Sequence, residues 1–144
     1  MSPNQTDSEE VQQQPLFNSR PQYISGENAT ILVAEDIDDN FELIRAIIGS
    51  QYRLLHAKSG KEAIELFDKY LPDLILMDIK IPEVNGLEAI KAIRRKSPSS
   101  PPIIAVSAYA FEEDKRELLD AGCNDFVAKP LDKEILLAIL HRYL

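Results

Sequence analysis

Five short apolar runs alternating with five stretches of helical periodicity constrain this chain more than any other feature. The first run is Ile31-Leu32-Val33-Ala34, and behind it Phe41, Ile44, Ile47 and Ile48 recur at helical spacing up to Gly49. Tyr52 to His56 reads as a second strand, and Ser59 caps a helix whose Ile64, Phe67, Tyr70 and Leu71 share a face. The third run, from Asp73 to Asp78, has four apolar residues between two carboxylates, with Leu87, Ile90 and Ile93 marking the helix behind it. Ile103-Ile104-Ala105-Val106 is the fourth, ahead of an acidic helical stretch from about Phe111 to Ala121 that Gly122 terminates. Asp125 to Ala128 gives the fifth, and Ile135, Ala138 and Ile139 lie along a closing helix. A wholly apolar strand must be covered on both faces, and strands alternating with helices achieve this as an open parallel sheet with helices on both sides. The expected fold is therefore α/β: a five-stranded parallel sheet with five helices on both faces.

The remaining sequence sets the limits of that domain. Residues 1–29 contain Gln12-Gln13-Gln14, several Ser, Asn and Pro, and few large apolar groups, so they read as a flexible tail or linker. Leu16, Phe17, Tyr23 and Ile24 are isolated exceptions within it. Residues 30–144 form the globular unit, and 44% hydrophobic residues over the chain suffice for one core. A formal net charge of -8, with no basic cluster of five or more, argues against direct nucleic-acid binding. Arg94-Arg95-Lys96 is the one cationic run, placed where the last turn of a helix favours positive charge. The single cysteine, Cys123, fits a reducing compartment. With no signal pattern and no apolar run of membrane-spanning length, direct membrane association is not expected and a cytoplasmic location is.

In an open parallel sheet, ligands bind beyond the carboxyl ends of the strands. Here the first strand ends in Glu35-Asp36, the third in Asp78, the fourth in Ser107 and the fifth in Ala128-Lys129-Pro130. Three carboxylates, a hydroxyl and an ammonium would thus meet on one rim. Each alone has a plainer explanation as a helix cap, a turn or a solvated strand end; Asp38 and Asp39, however, suit the capping role better than Glu35-Asp36, and the helix after Asp78 begins only near Asn85-Gly86. Clustered carboxylates repel one another, and an oxygen-preferring divalent cation such as Mg²⁺ relieves the repulsion. A metal with open positions, a fixed ammonium and a hydroxyl form a cradle for a phosphoryl group, and a carboxylate there can act as nucleophile to give an aspartyl phosphate. Asp78, at the end of the central strand, is best placed to attack.

Residues 30 to 144 resemble a response-regulator receiver domain, the phosphoacceptor module of two-component signalling. The resemblance rests on Glu35-Asp36, the segment from Asp78-Ile79-Lys80-Ile81-Pro82 to Gly86, Ser107-Ala108 and Lys129-Pro130, in the family's order and approximate spacing. It implies a flavodoxin-like sheet of order 2-1-3-4-5. It implies further that Asp78 takes a phosphoryl group from a phosphohistidine on a histidine kinase or histidine phosphotransfer protein, as in a phosphorelay. Asp36 and Asp78 would bind Mg²⁺ directly, Glu35 through water, and Lys80 through its backbone carbonyl. Lys129 would pair with the phosphoryl oxygens, the Ala108 backbone would contact them, and the Lys129-Pro130 bond would be cis. Ser107 would move to bond the phosphoryl group and draw Phe126 inward, changing the surface around the fourth strand, fourth helix and fifth strand. Lys80 and Tyr109 would set the phosphate lifetime. Such a protein promotes its own phosphorylation and slow autodephosphorylation without being a conventional turnover enzyme.

Rival readings fit less well. A flavin mononucleotide carrier of the same fold needs a phosphate loop rich in Ser, Thr and Gly where this chain has Glu35-Asp36-Ile37-Asp38-Asp39. A phosphohydrolase of the haloacid dehalogenase type expects a second acid two residues after the nucleophile, where Lys80 stands. A degenerate receiver serving as a binding scaffold is the remaining alternative. The domain fits either a stand-alone regulator or the receiver of a hybrid histidine kinase, which a kinase catalytic domain encoded directly upstream would decide. His56 and His141 are too far apart for a zinc site or a phosphotransfer motif, and His141 is expected to face solvent. Leu136 and Leu140, beyond the apolar stripe of the last helix, suit either a partner or homodimer surface or extra burial against the sheet.

Overall fold

A strand in mid-sheet survives only if both its faces are covered, and β1 (Thr30–Ala34) and β3 (Leu74–Asp78) are buried along their whole lengths. The computed structural model describes residues 29–108 and 112–144, apart from the side chains of 112–114. The expectations for the tail, with Leu16, Phe17, Tyr23 and Ile24, and for Tyr109 lie outside the described residues. Ala29, the last position assigned to the tail, is buried, and its carbonyl accepts from Arg53 N at 2.9 Å. The other strands are β2 (Arg53–Ala57), β4 (Ile103–Ser107) and β5 (Asp125–Ala128). The helices are α1 (Asp38–Ile48), α2 (Gly60–Tyr70), α3 (Gly86–Lys96), α4 (Glu112–Ala121) and α5 (Lys133–Tyr143). All strand pairings are parallel, in the order β2-β1-β3-β4-β5.

Alternation along the strands divides the core in two. Leu32, Ala34, Ile75, Met77, Ile103 and Ala105 face Ala63 and Phe67 of α2, Ala89, Ile90 and Ile93 of α3, and Leu118 of α4. Ile31, Val33, Leu74, Leu76, Ile104, Val106 and Val127 face Ile44 and Ile48 of α1 and Leu136, Ile139 and Leu140 of α5. Two helix caps form as the sequence suggests: Ser59 accepts from Glu62 N, and Asn85 accepts from Glu88 N.

Three local expectations are corrected. In α5 the inward stripe is Leu136, Ile139 and Leu140, while Ile135 and Ala138 are exposed. Asp132 caps that helix by accepting from Glu134 N and Ile135 N, which sets the helix phase and turns both leucines into the core instead of toward a partner. On α2, Tyr70 and Leu71 are exposed: Tyr70 ends the helix, and Leu71 has already left it in the left-handed conformation (φ 47°). The N-cap of α1 is Ile37 with no side-chain cap, and Asp38 instead pairs with Lys58 at 2.8 Å.

Candidate functional site

Sheet register alone brings the strand-end residues together. Ala34 pairs with Met77, so Glu35 and Asp78, one residue beyond each, emerge side by side. Ser107 pairs with Ala128 across β4 and β5, and Lys129 follows, its N–H donating to the Ser107 carbonyl at 2.9 Å. Asp78 is only 4% exposed and Glu35 2%, whereas Asp36 faces solvent. One carboxylate oxygen from each of these three acids lies within 4.8 Å of the others.

Lys129 reaches over this cluster, its Nζ 2.9 Å from Asp78 Oδ2 and 3.5 Å from Glu35 Oε1. Burial opposes its charge, but the hydrogen bonds and negative charges of Asp78 and Glu35 outweigh that and hold its pKa above the ordinary value. Asp78 Oδ1 accepts from Lys80 N at 3.0 Å, so both oxygens of the central carboxylate are oriented. Glu35 Oε2 accepts from Ile37 N at 3.1 Å and from Asn40 Nδ2 at 3.4 Å. One ammonium against three carboxylates leaves an excess of negative charge among oxygen donors, which suits a hard divalent cation.

The surrounding loops are tightly specified. After β3 the chain passes through Glu83 and Val84 with left-handed backbones (φ 49° and 67°) before entering α3. This loop is tied to the start of α2, where Gly60 N donates to the Pro82 carbonyl at 3.0 Å and Lys61 N to that of Glu83 at 2.8 Å. A β-carbon on Gly86 would come within 2.6 Å of Ile79 Cα and closer still to the Asp78 carbonyl oxygen, so only glycine lets α3 begin directly beneath the acidic residue. The Lys129–Pro130 peptide is cis, as is Ser100–Pro101. Ser107 is half-buried, Ala108 and Lys80 are exposed, and the partly buried Phe126 ring has Lys115 Nζ 5.2 Å from its centroid.

Two residues escaped the sequence reading. His56 lies with its Nε2 2.8 Å from the Glu35 carbonyl, its ring stacked on Phe41 at 3.7 Å and 2°. The parallel pairing of Val33 with His56, which sets His56 next to the acidic strand end, becomes visible only in the sheet register. Arg94, read as helix-end charge, is instead 9% exposed and donates to the carbonyls of Ser97, Pro101 and Gly122 and to Asn124 Oδ1.

Fold and site together define a flavodoxin-like α/β domain with an oxygen-rich cluster, able to hold a metal ion, at the carboxyl ends of the strands. Residues 31–141 match the model of the response regulator receiver domain, and this chain belongs to that family. The polar-differentiation response regulator DivK of Brucella ovis is 35% identical over 117 residues, covering 80% of this chain and 95% of DivK. The receiver domain of sensor histidine kinase PA1611 from Pseudomonas aeruginosa, solved with a magnesium ion coordinated in its active site cleft, is 35% identical with a TM-score of 0.74, covering 81% of this chain and 97% of that one. The receiver domain of Ssk1 from Saccharomyces cerevisiae, crystallised with the histidine phosphotransfer protein Ypd1, is 26% identical with a TM-score of 0.77, covering 83% and 91%. Among the described residues no helix is long and apolar enough to cross a membrane.

Proposed function

We propose that this chain is a phosphoacceptor whose Asp78 receives a phosphoryl group from a phosphohistidine on a histidine kinase or histidine phosphotransfer protein. The observation that carries this reading is the pairing of the buried Asp78 with Lys129 at 2.9 Å inside a cluster of two further carboxylates. Asp78 is the nucleophile, and the phosphorus–nitrogen bond to the donor imidazole breaks as the new phosphorus–oxygen bond forms. Glu35, Asp36 and Asp78, with the Lys80 carbonyl, are the candidate ligands for Mg²⁺, which when bound supplies neutralising charge to the phosphoryl oxygens. Lys129 offers a second fixed cation, and Ser107 and the Ala108 backbone stand at the neighbouring strand end to receive the phosphoryl oxygens. Movement of Ser107 toward the phosphoryl group, with Phe126 following it, would carry the signal to the surface of β4, α4 and β5. Support for the partner class comes from the receiver of Ssk1 bound to Ypd1, and support for the metal from the magnesium-bound receiver of PA1611.

The deciding measurement is intact mass after incubation with acetyl phosphate, with and without Mg²⁺, for the wild type and Asp78→Asn. Gain of one phosphoryl group by the wild type alone, and only with the metal, is the expected outcome. No gain by the wild type under conditions where it binds Mg²⁺ overturns the phosphoacceptor reading in favour of a binding scaffold.

A further inference from the structure

The acidic pair stands on a short stretch between β1 and α1, so something outside that stretch must hold its backbone in place. Glu35 is fixed on both sides by consecutive residues of β2: its N–H donates to the Ala57 carbonyl at 2.9 Å, and its own carbonyl lies 2.8 Å from His56 Nε2. A carbonyl oxygen can only accept, so Nε2 carries the hydrogen. The Glu35 carbonyl belongs to the planar peptide group that leads into Asp36, and orienting that plane orients the Asp36 Cα. Asp36 itself faces solvent, ahead of the first helical residue Asp38, so its direction depends on this peptide more than on packing.

The imidazole is in turn held flat. Phe41, from the first turns of α1, stacks on it with ring centroids 3.7 Å apart and planes 2° from parallel. The stack leaves the ring edge as the part that meets Glu35. A hydrogen bond across 21 residues of sequence thus links the edge strand, the acidic stretch and the start of α1.

We propose that His56 is a positioning residue for the cation site, its Nε2–H clamping the Glu35–Asp36 peptide so that the two carboxylates face Asp78. The proposal rests on the reading that these acids hold Mg²⁺, but not on whether Asp78 is phosphorylated. Outer-shell partners of metal ligands commonly contribute about 10-fold or more to metal affinity, and an effect near the lower end suits a contact made through the backbone.

The test compares the wild type, His56→Phe and His56→Gln. Phenylalanine keeps a flat ring for Phe41 and removes the donor, whereas glutamine restores an N–H donor. Each is measured for Mg²⁺ dissociation constant by calorimetry, for urea midpoint, and for phosphorylation by acetyl phosphate across a Mg²⁺ series. The expected result is a roughly 10-fold weaker Mg²⁺ affinity in His56→Phe with partial recovery in His56→Gln, and a phosphorylation rate that approaches the wild type at saturating Mg²⁺. A merely structural histidine would shift the urea midpoint and leave the affinity of the folded protein unchanged. The proposal is overturned if His56→Phe binds Mg²⁺ as the wild type does, or if His56→Gln recovers nothing. Weakened Mg²⁺ binding in His56→Phe alongside a wild type that takes no phosphoryl group would sink the phosphoacceptor reading and leave the positioning role standing.

Discussion

Lys129 already pairs with two of the carboxylates that the proposed divalent cation would use, so each should be felt through the other. Replacing Lys129 with Met leaves Asp78 and Glu35, both almost fully buried, without their ammonium. In metal-free buffer this variant is expected to lose about 2 kcal/mol, less than for a fully buried pair because Lys129 is one-quarter exposed. Urea unfolding with and without Mg²⁺ checks this: the metal should stabilise Lys129→Met more than the wild type, and an equal response would refute the competition. Cys123 provides a separate pH test away from the site. Burial, then the nearby charge of Asp125, pushes its thiol from the ordinary 9.0 up to about 11. The folded state therefore keeps the proton longer than the unfolded one, so this contribution to stability is complete below pH 9.0 and is lost as pH rises through about 11. Alkylation of the native protein at pH 9 should accordingly be much slower than in urea. At this scale the sequence was legible where residues stand at strand ends: Glu35, Asp36, Asp78 and Lys129 meet because parallel strands finish on one edge. His56 and Arg94 were not, because their main partners are backbone carbonyls, which leave no mark in the sequence.

Among the described residues, two of the three left-handed non-glycine backbones, Glu83 and Val84, fall in the loop between β3 and α3. Val84 is β-branched, 43% exposed and left-handed, a combination that little side-chain burial offsets. Val84→Gly is expected to raise stability by about 1 kcal/mol, the relief of strain exceeding the entropy cost of glycine. Gly86→Ala should do the reverse, costing about 2 kcal/mol as its methyl meets the backbone at Asp78 and Ile79. Urea midpoints measure both, and a destabilised Val84→Gly would show that the valine side chain packs more than its exposure suggests. Strand positions were plain from the apolar runs, with β2 shifted by a single residue. The face of α5 was not, since Ile135-Ala138-Ile139 and Leu136-Ile139-Leu140 satisfy the same spacing, and the choice fell to the Asp132 cap.

The whole molecule has two unlike ends. At the carboxyl edge of the sheet, three carboxylates and an ammonium are gathered; at the amino edge, Arg94 is buried among carbonyls from the segment after α3 and the turn after α4. Asn124 Oδ1 receives both Arg94 and the N–H of Ile103, which draws the starts of β4 and β5 into the same knot. Arg94→Leu would leave the carbonyls of Pro101 and Gly122 without this donor and is expected to cost about 3 kcal/mol, lowering the melting temperature by roughly 10 °C. Arg94→Lys should recover little of this, because one ammonium cannot serve acceptors spread around a planar guanidinium. Scanning calorimetry distinguishes these outcomes, and a melting temperature near that of the wild type for Arg94→Leu would show the knot to be dispensable. The knot also bears on the proposed switch. With the Gly122 end of α4 held by Arg94, any displacement of that helix would pivot about Arg94, small at the amino edge of the sheet and larger toward the rim where Ser107 stands.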